Sequence, residues 1–252
     1  LPAYVKLWQH GYSWRDVLKR PPAPDAVEAR ERLSGGAARA LPPPSADEFG
    51  SAAPKVRQAQ SDRAAIRTEL GLDAEEFVVG TVANFRAQKD YPNLLAAARR
   101  LADRGVPVRI VAVGQGPQEA ETRALHASLG LGDRVILTGR RDDAVAVMGA
   151  CDAFVMASNN EGLPVAIMEA LALGLPVVAT AVGGLPEAIT ADVEGLLVPA
   201  RDPDALAAAI TRVATDPALR ARLAAGAAAA GDRYDIRTTV ARLEDIYAAV
   251  PR

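Results

Sequence analysis

The chain has 252 residues, half of them apolar, with 29 basic against 31 acidic side chains and a formal net charge of −2. That length can bury one or two sizeable cores, and the near balance of charge argues against a nucleic-acid partner or an acidic tail. The single cysteine, Cys151, excludes an internal disulfide and fits a reducing, cytoplasmic compartment.

The first sixty residues hold five of the eleven aromatics and eight of the eighteen prolines, which separates them in composition from everything that follows. Tyr4, Trp8 and Tyr12 recur at helical spacing, while Leu41 to Gln60 has a triple proline, small residues and no periodicity. Residues 1–60 therefore read as an irregular segment or linker, and residues 61–252 as one domain. The chain opens on Leu1 without a charged-then-apolar leader, so it reads as a processed or truncated piece.

From Phe77 onward strands and helices alternate. Strand-length apolar runs lie at Phe77–Ala83, Val108–Val113, Arg134–Thr138, Asp152–Ala157, Pro176–Thr180 and Gly195–Val198. Helical stretches separate them at Tyr91–Arg104, Pro117–Leu129, Asp142–Ala150, Leu163–Leu173 and Leu185–Ile189. Three more follow at Pro203–Thr215, Pro217–Ala230 and Ile236–Val250. Runs that stay apolar instead of alternating predict strands covered on both faces, hence an α/β, doubly wound parallel sheet of Rossmann-like type. Leu163 to Val182 is apolar enough to imitate a membrane span, but Glu169, Gly174 and Pro176 divide it into a helix, a turn and a strand.

In such a sheet, ligands bind at the carboxyl ends of the strands, so the loops there carry the chemistry. The first is Asn84-Phe-Arg-Ala-Gln-Lys-Asp90, whose Arg86 and Lys89 suit a diphosphate. The second, Gly114-Gln-Gly-Pro117, lacks the third glycine of a dinucleotide fingerprint and reads as a strand–helix turn, which leaves a nicotinamide dehydrogenase the weakest reading. The fourth strand leads into Glu161-Gly-Leu-Pro-Val-Ala-Ile-Met-Glu169, two carboxylates eight residues apart across a helix start. Gly162 permits a tight entry, Pro164 suits the first helical position, and unpaired first-turn amides suit a phosphate. Eight residues of helical rise span roughly 12 Å, about the reach from a ribose across a diphosphate to a sugar. Spacing alone is equally satisfied by a solvated loop glutamate and a surface helix glutamate. Asp202-Pro-Asp204 and Asp142-Asp143 open helices and read as caps in preference to metal ligands. His126 lies within a helix and reads as a boundary residue, and Cys151 as a small core residue.

Taken in order, Gly80–Asp90, Val113–Pro117, Val135–Gly139, Glu161–Glu169 and Pro176–Glu187 resemble the motifs of retaining GT-B glycosyltransferases of family 4. The resemblance runs from about Arg63 to the C-terminus and concerns only the donor-binding half of such enzymes. It implies that Arg86 and Lys89 hold the donor diphosphate and that Glu161, the first glutamate of the E-x7-E motif, lies near the transferred sugar. It implies that Glu169 takes the ribose and that Gly162 and Leu163 offer backbone N–H groups. The loop at Gly139, Arg140 and Arg141 would then lie beside the base. No metal and no cofactor is implied, because fixed cations stabilise the departing nucleoside diphosphate. The expected partners are a nucleotide diphosphate sugar (UDP or GDP), an acceptor in polysaccharide or glycoconjugate synthesis, and an N-terminal domain without which transfer is incomplete. A cytoplasmic location, including the inner face of the membrane, is expected. A non-catalytic sugar-nucleotide-binding or interaction module stays open as the alternative, as does another GT-B enzyme such as an epimerase or phosphorylase.

Overall fold

The computed structural model describes residues 58–234. The aromatic and proline-rich segment before residue 58, with Tyr4, Trp8, Tyr12 and His10, and the closing helix expected over Ile236–Val250 lie outside the described residues. Residues 58–61 are helical, so regular structure begins three residues ahead of the expected boundary. Burial accounts for this, because Ala59 is packed into the core beside Met148.

The described elements are α1 (Arg63–Glu69), β1 (Phe77–Val82), α2 (Tyr91–Asp103), β2 (Val108–Val113), α3 (Glu119–Ser128), β3 (Val135–Gly139) and α4 (Ala144–Gly149). They continue as β4 (Ala153–Met156), α5 (Val165–Ala172), β5 (Val177–Thr180), α6 (Leu185–Ala188), β6 (Gly195–Val198), α7 (Pro203–Thr215) and α8 (Pro217–Gly231). All six strands run parallel in the order β3-β2-β1-β4-β5-β6. The order reverses direction between β1 and β4, which sets the topological switch point there.

Both faces of the sheet are covered, as the unbroken apolar runs predict. On one face Val79, Ile110, Val155 and Val178 meet Leu94, Leu95 and Leu101 of α2 and Leu206, Ile210 and Val213 of α7. On the other, Phe154, Met156, Val177 and Ala179 meet Ile167, Ala170 and Leu171 of α5 with Ala227 and Ala230 of α8. Val78, Val111 and Val113 form a third group with Ile66 of α1 and Val147 of α4. Each fully buried branched or aromatic side chain contributes about 1.5–3 kcal/mol, so this double cover is the main source of stability.

At the amino ends of the central strands, Asp152 accepts from the Val78 N–H at 2.8 Å and from Arg63 at 2.6 Å. Arg67 is 4% exposed and lies against the same carboxylate, with its guanidinium spread over the carbonyls of Asp73, Glu76 and Ala150. This cluster holds α1 to the sheet at the end opposite the carboxyl ends of the strands. Cys151, expected in the core, is buried there, and burial pushes its thiol up to about 12, which keeps it protonated and unreactive. His126 sits half-buried on α3 with Nε2 at 2.9 Å from the Val135 carbonyl, a boundary contact as expected. No helix among the described residues is long and apolar enough to cross a membrane, and the apolar stretch from Leu163 divides into α5, a turn and β5.

Candidate functional site

The loop after β1 is shaped by one aromatic pair. Phe85 is fully buried and meets Tyr91 edge to face, with ring centroids 4.4 Å apart. The Tyr91 hydroxyl donates to the Ala83 carbonyl at 2.8 Å, and its burial raises the phenol well above its usual range. Between these anchors Ala87–Lys89 form one turn of 3-10 helix, and Asp90, at φ 48°, caps α2 by accepting from the Asn93 N–H. The loop after β2 lies tightly against this one: a Cβ on Gly114 would stand 2.0 Å from the Ala83 carbonyl oxygen, and one on Gly116 2.5 Å from that of Phe85. The two glycines thus serve close packing, which is the strand–helix turn expected of Gly114-Gln-Gly-Pro117. α3 starts at Glu119, two residues after Pro117, and the Gln118 N–H at its N-cap donates to the Phe85 carbonyl at 3.0 Å.

Across the switch point the loop after β4 is tied to this turn. The Asn159 N–H donates to the Gln88 carbonyl at 2.9 Å, and its side-chain amide donates to the Ala87 carbonyl at 3.1 Å. The decisive contact is Lys89 Nζ to Glu161 Oε1 at 2.6 Å, with side chains only 15% and 7% exposed. Ser158 Oγ donates to that same Oε1 at 2.6 Å, and the Ser158 carbonyl accepts from the Thr180 hydroxyl at the end of β5. Residues 72 positions apart in the chain are thereby joined at the carboxyl ends of β1 and β4.

Two corrections follow for the sequence reading of this loop. Pro164 has φ −73° and ψ 132°, so it stands at the N-cap position and α5 begins at Val165. Its extended ψ keeps residues 161–164 out of the helix. Only the four steps from Val165 to Glu169 rise helically, roughly 6 Å instead of the 12 Å expected for the whole spacing. Gly162 has open space where a Cβ would project, so fold packing does not demand a glycine there. The N–H groups of Gly162 and Leu163 donate to no described residue, and both residues are exposed. Leu163 and Val165, at 48% and 64%, are among the exposed large apolar side chains.

The loop after β5 supports this arrangement from below. Gly183 has φ 54°, and a Cβ on it would lie 1.7 Å from the Glu161 carbonyl oxygen; the Gly184 N–H donates to the Gly162 carbonyl at 3.1 Å. Replacing Gly183 with alanine therefore pushes on the Glu161 backbone and adds left-handed strain of about 1–2 kcal/mol. The expected result is a chain that keeps its far-ultraviolet circular dichroism yet loses ligand affinity. Wild-type affinity in Gly183→Ala would show that the Glu161 loop tolerates displacement.

The remaining expected site residues are spread out. Arg86 is exposed beside the turn, extended at φ −131°, and its side chain pairs with no described residue. Glu169 is partly buried on α5 and already engaged by its surroundings. Gly139 ends β3 at φ 77°, its carbonyl accepting from the Gly114 N–H at 2.9 Å. Arg140 is exposed and paired with Asp142, while Arg141 is held by Glu69 and Asp143. These pairs correct the expectation for Asp142-Asp143: neither side chain caps α4, because the neighbouring arginines take both carboxylates. Asp202 does cap α7, accepting from the Ala205 N–H at 2.9 Å, and Asp204 meets Arg100 and Arg104. Among the described residues no group of three acidic, histidine or cysteine side chains is gathered to hold a metal.

Sequence reasoning missed Ser158, Asn159 and Thr180. The available signal was a hydroxyl and an amide at the very end of an apolar strand, three and two residues before the first glutamate. Chemically, the site brings together one unpaired arginine, a lysine–glutamate pair, two unbonded amides and the start of a helix. Such a set suits an anion flanked by hydroxyl groups.

The chain is 37% identical over 196 residues to the D-inositol 3-phosphate glycosyltransferase of Saccharomonospora viridis, covering 73% of this chain and 46% of that protein. It is 34% identical to the 2-deoxystreptamine glucosyltransferase of Streptomyces kanamyceticus, with 68% and 45% of the two chains covered. Among solved structures, HepE of Anabaena in complex with UDP and glucose superposes with a TM-score of 0.69 at 29% identity, covering 75% of this chain and 52% of that one. The same protein has also been solved with UDP-glucose. The chain spans about half the length of these relatives. The family model for glycosyl transferases group 1 matches residues 62–229, the whole sheet with the loops just described, and the chain belongs to that family.

Proposed function

We propose that this chain is the donor half of a retaining glycosyltransferase of family 4, binding a UDP-sugar at the switch point between β1 and β4. The observation that carries the reading is the Lys89–Glu161 ion pair spanning those two strands, with Arg86 exposed and unpaired beside it. The Gly162 and Leu163 amides and the start of α5 complete an anion site. HepE supports UDP as the nucleotide, since its structures hold UDP and UDP-glucose. The cited relatives carry transferase names, which favours a transferase over a non-catalytic module.

In this reading Arg86 forks onto the diphosphate oxygens, and the Gly162 and Leu163 amides donate to the same group. Lys89 serves the diphosphate from its place on Glu161, and Glu161 accepts from a hydroxyl of the sugar. Glu169, deeper along α5, takes the ribose. The loop at Gly139 and Arg140 receives the base: β3 lies three strand spacings from β4, about 14 Å, which matches the length of a nucleotide. Transfer breaks the bond between the anomeric carbon and the diphosphate oxygen, and the electron pair leaves with the UDP. The acceptor oxygen forms the new bond to the anomeric carbon, and its proton passes to the departing diphosphate oxygen. Fixed positive charge stabilises the leaving dianion as it develops, so the reading calls for no metal. In this reading, acceptor recognition and the second half of the cleft fall to an N-terminal domain. The buried, protonated Cys151 fits a cytoplasmic protein.

Calorimetric titration of the chain with UDP, GDP and ADP tests this. Saturable binding of UDP is expected, weakened by about ten- to a hundredfold in Glu169→Ala, the worth of a charged hydrogen bond. Heat changes indistinguishable from dilution with all three nucleotides, or UDP affinity undiminished in Glu169→Ala, would sink the proposal.

A further inference from the structure

The Glu161 carboxylate is bound unevenly. Oε1 receives both Lys89 Nζ and Ser158 Oγ, each at 2.6 Å, while Oε2 takes no hydrogen bond from a described residue. A lysine ammonium is a compact charge on a flexible stem, so by itself it fixes the sign of its surroundings better than the direction of a carboxylate. Ser158 has the opposite character. Its hydroxyl sits on a short side chain, the residue is 1% exposed, and its own carbonyl is held by the Thr180 hydroxyl, from a residue that is fully buried. A chain of hydrogen bonds thus runs from the end of β5 through the end of β4 to one oxygen of Glu161.

We propose that Ser158 is a positioning residue that turns the Glu161 carboxylate so that Oε2 is presented to a hydroxyl of the donor sugar, making Ser158 a determinant of sugar recognition as distinct from nucleotide recognition. The inference rests on the donor-site reading above and deepens it. Without the Ser158 hydroxyl, Glu161 keeps its charge partner but loses the second donor that sets its rotation. The carboxylate plane then turns about the Cγ–Cδ bond, and for most of the bound population neither oxygen is held in line with the sugar hydroxyl. The nucleotide, held by Arg86, Lys89, the loop amides and Glu169, is untouched by that change, since Lys89 keeps its ion pair with Glu161.

The test is titration of the full chain and of Ser158→Ala with UDP and with UDP-glucose separately, alongside thermal melting. The expected result is at least a tenfold loss of UDP-glucose affinity in Ser158→Ala, with UDP affinity within about twofold of wild type. Ser158→Thr, which keeps the hydroxyl, recovers part of the loss. Thr180→Val, which frees the Ser158 carbonyl while keeping the shape of the side chain, shifts the same ratio in the same direction by less, and stands in if Ser158→Ala does not fold. In a Glu161→Gln background the alanine change at Ser158 adds no further discrimination between the two ligands. Equal losses for UDP and UDP-glucose, or an unchanged ratio of the two affinities, overturn the positioning role and leave the donor site standing. A wild-type chain that binds neither ligand overturns both.

Discussion

Replacing Lys89 with alanine is expected to lower UDP affinity by about ten- to a hundredfold and to destabilise the fold by about 3–5 kcal/mol. Both effects come from one atom. Nζ is the nearest countercharge to a carboxylate whose side chain is only 7% exposed, so its removal leaves Glu161 charged, mostly buried and held by a serine hydroxyl alone. The two effects separate in the double variant Lys89→Met with Glu161→Gln. That pair carries no buried charge and approximates the original volume, so urea denaturation is expected to return most of the lost stability while binding stays weak. A single Lys89→Ala variant with a wild-type denaturation midpoint would mean that the ion pair is not what holds the two loops together.

The second large effect lies at the other end of the sheet. Arg67→Ala is expected to cost about 3–5 kcal/mol and to lower the melting temperature by on the order of 10 °C. The guanidinium donates to the carbonyls of Asp73, Glu76 and Ala150 and lies against Asp152, so its loss strands several buried acceptors at once. Arg67→Lys is expected to recover little, because a point charge does not span acceptors that a planar fork reaches together. UDP affinity of the folded fraction is expected to stay at its wild-type value, since the cluster sits where β1 and β4 begin and the ligand loops sit where they end. A melting temperature within about 3 °C of wild type would show that water replaces the guanidinium at small cost.

The two charged clusters show what was legible in advance. Lys89 and Glu161 were both recognised as site residues, but each was assigned to the ligand and neither to the other. Arg67 and Asp152 were not recognised at all. An arginine in a short amphipathic helix and an aspartate at the head of a strand look like solvated charges until the sheet closes over them. Helix starts failed for a related reason. α3 begins two residues after Pro117 and α5 one residue after Pro164, with Gln118 turned towards the loop after β1 and Pro164 extended.

What the sequence determined by itself was the alternation of elements and the parallel, doubly covered sheet. Strand limits at Val108–Val113 and Gly195–Val198 and the helix Pro203–Thr215 were read without error, because apolar runs, proline and aspartate caps act over a few neighbouring residues. The motif order also pointed to a donor site, since each loop carries its own residue types. Only the tertiary structure decided which of those residues meet. The order β3-β2-β1-β4-β5-β6 is a non-local property, and it alone brings residue 89 to residue 161 and residue 180 to residue 158. Local pattern selects elements through short-range sterics and burial. The pairing of buried charges depends on which strand ends lie side by side, and no window of sequence contains that.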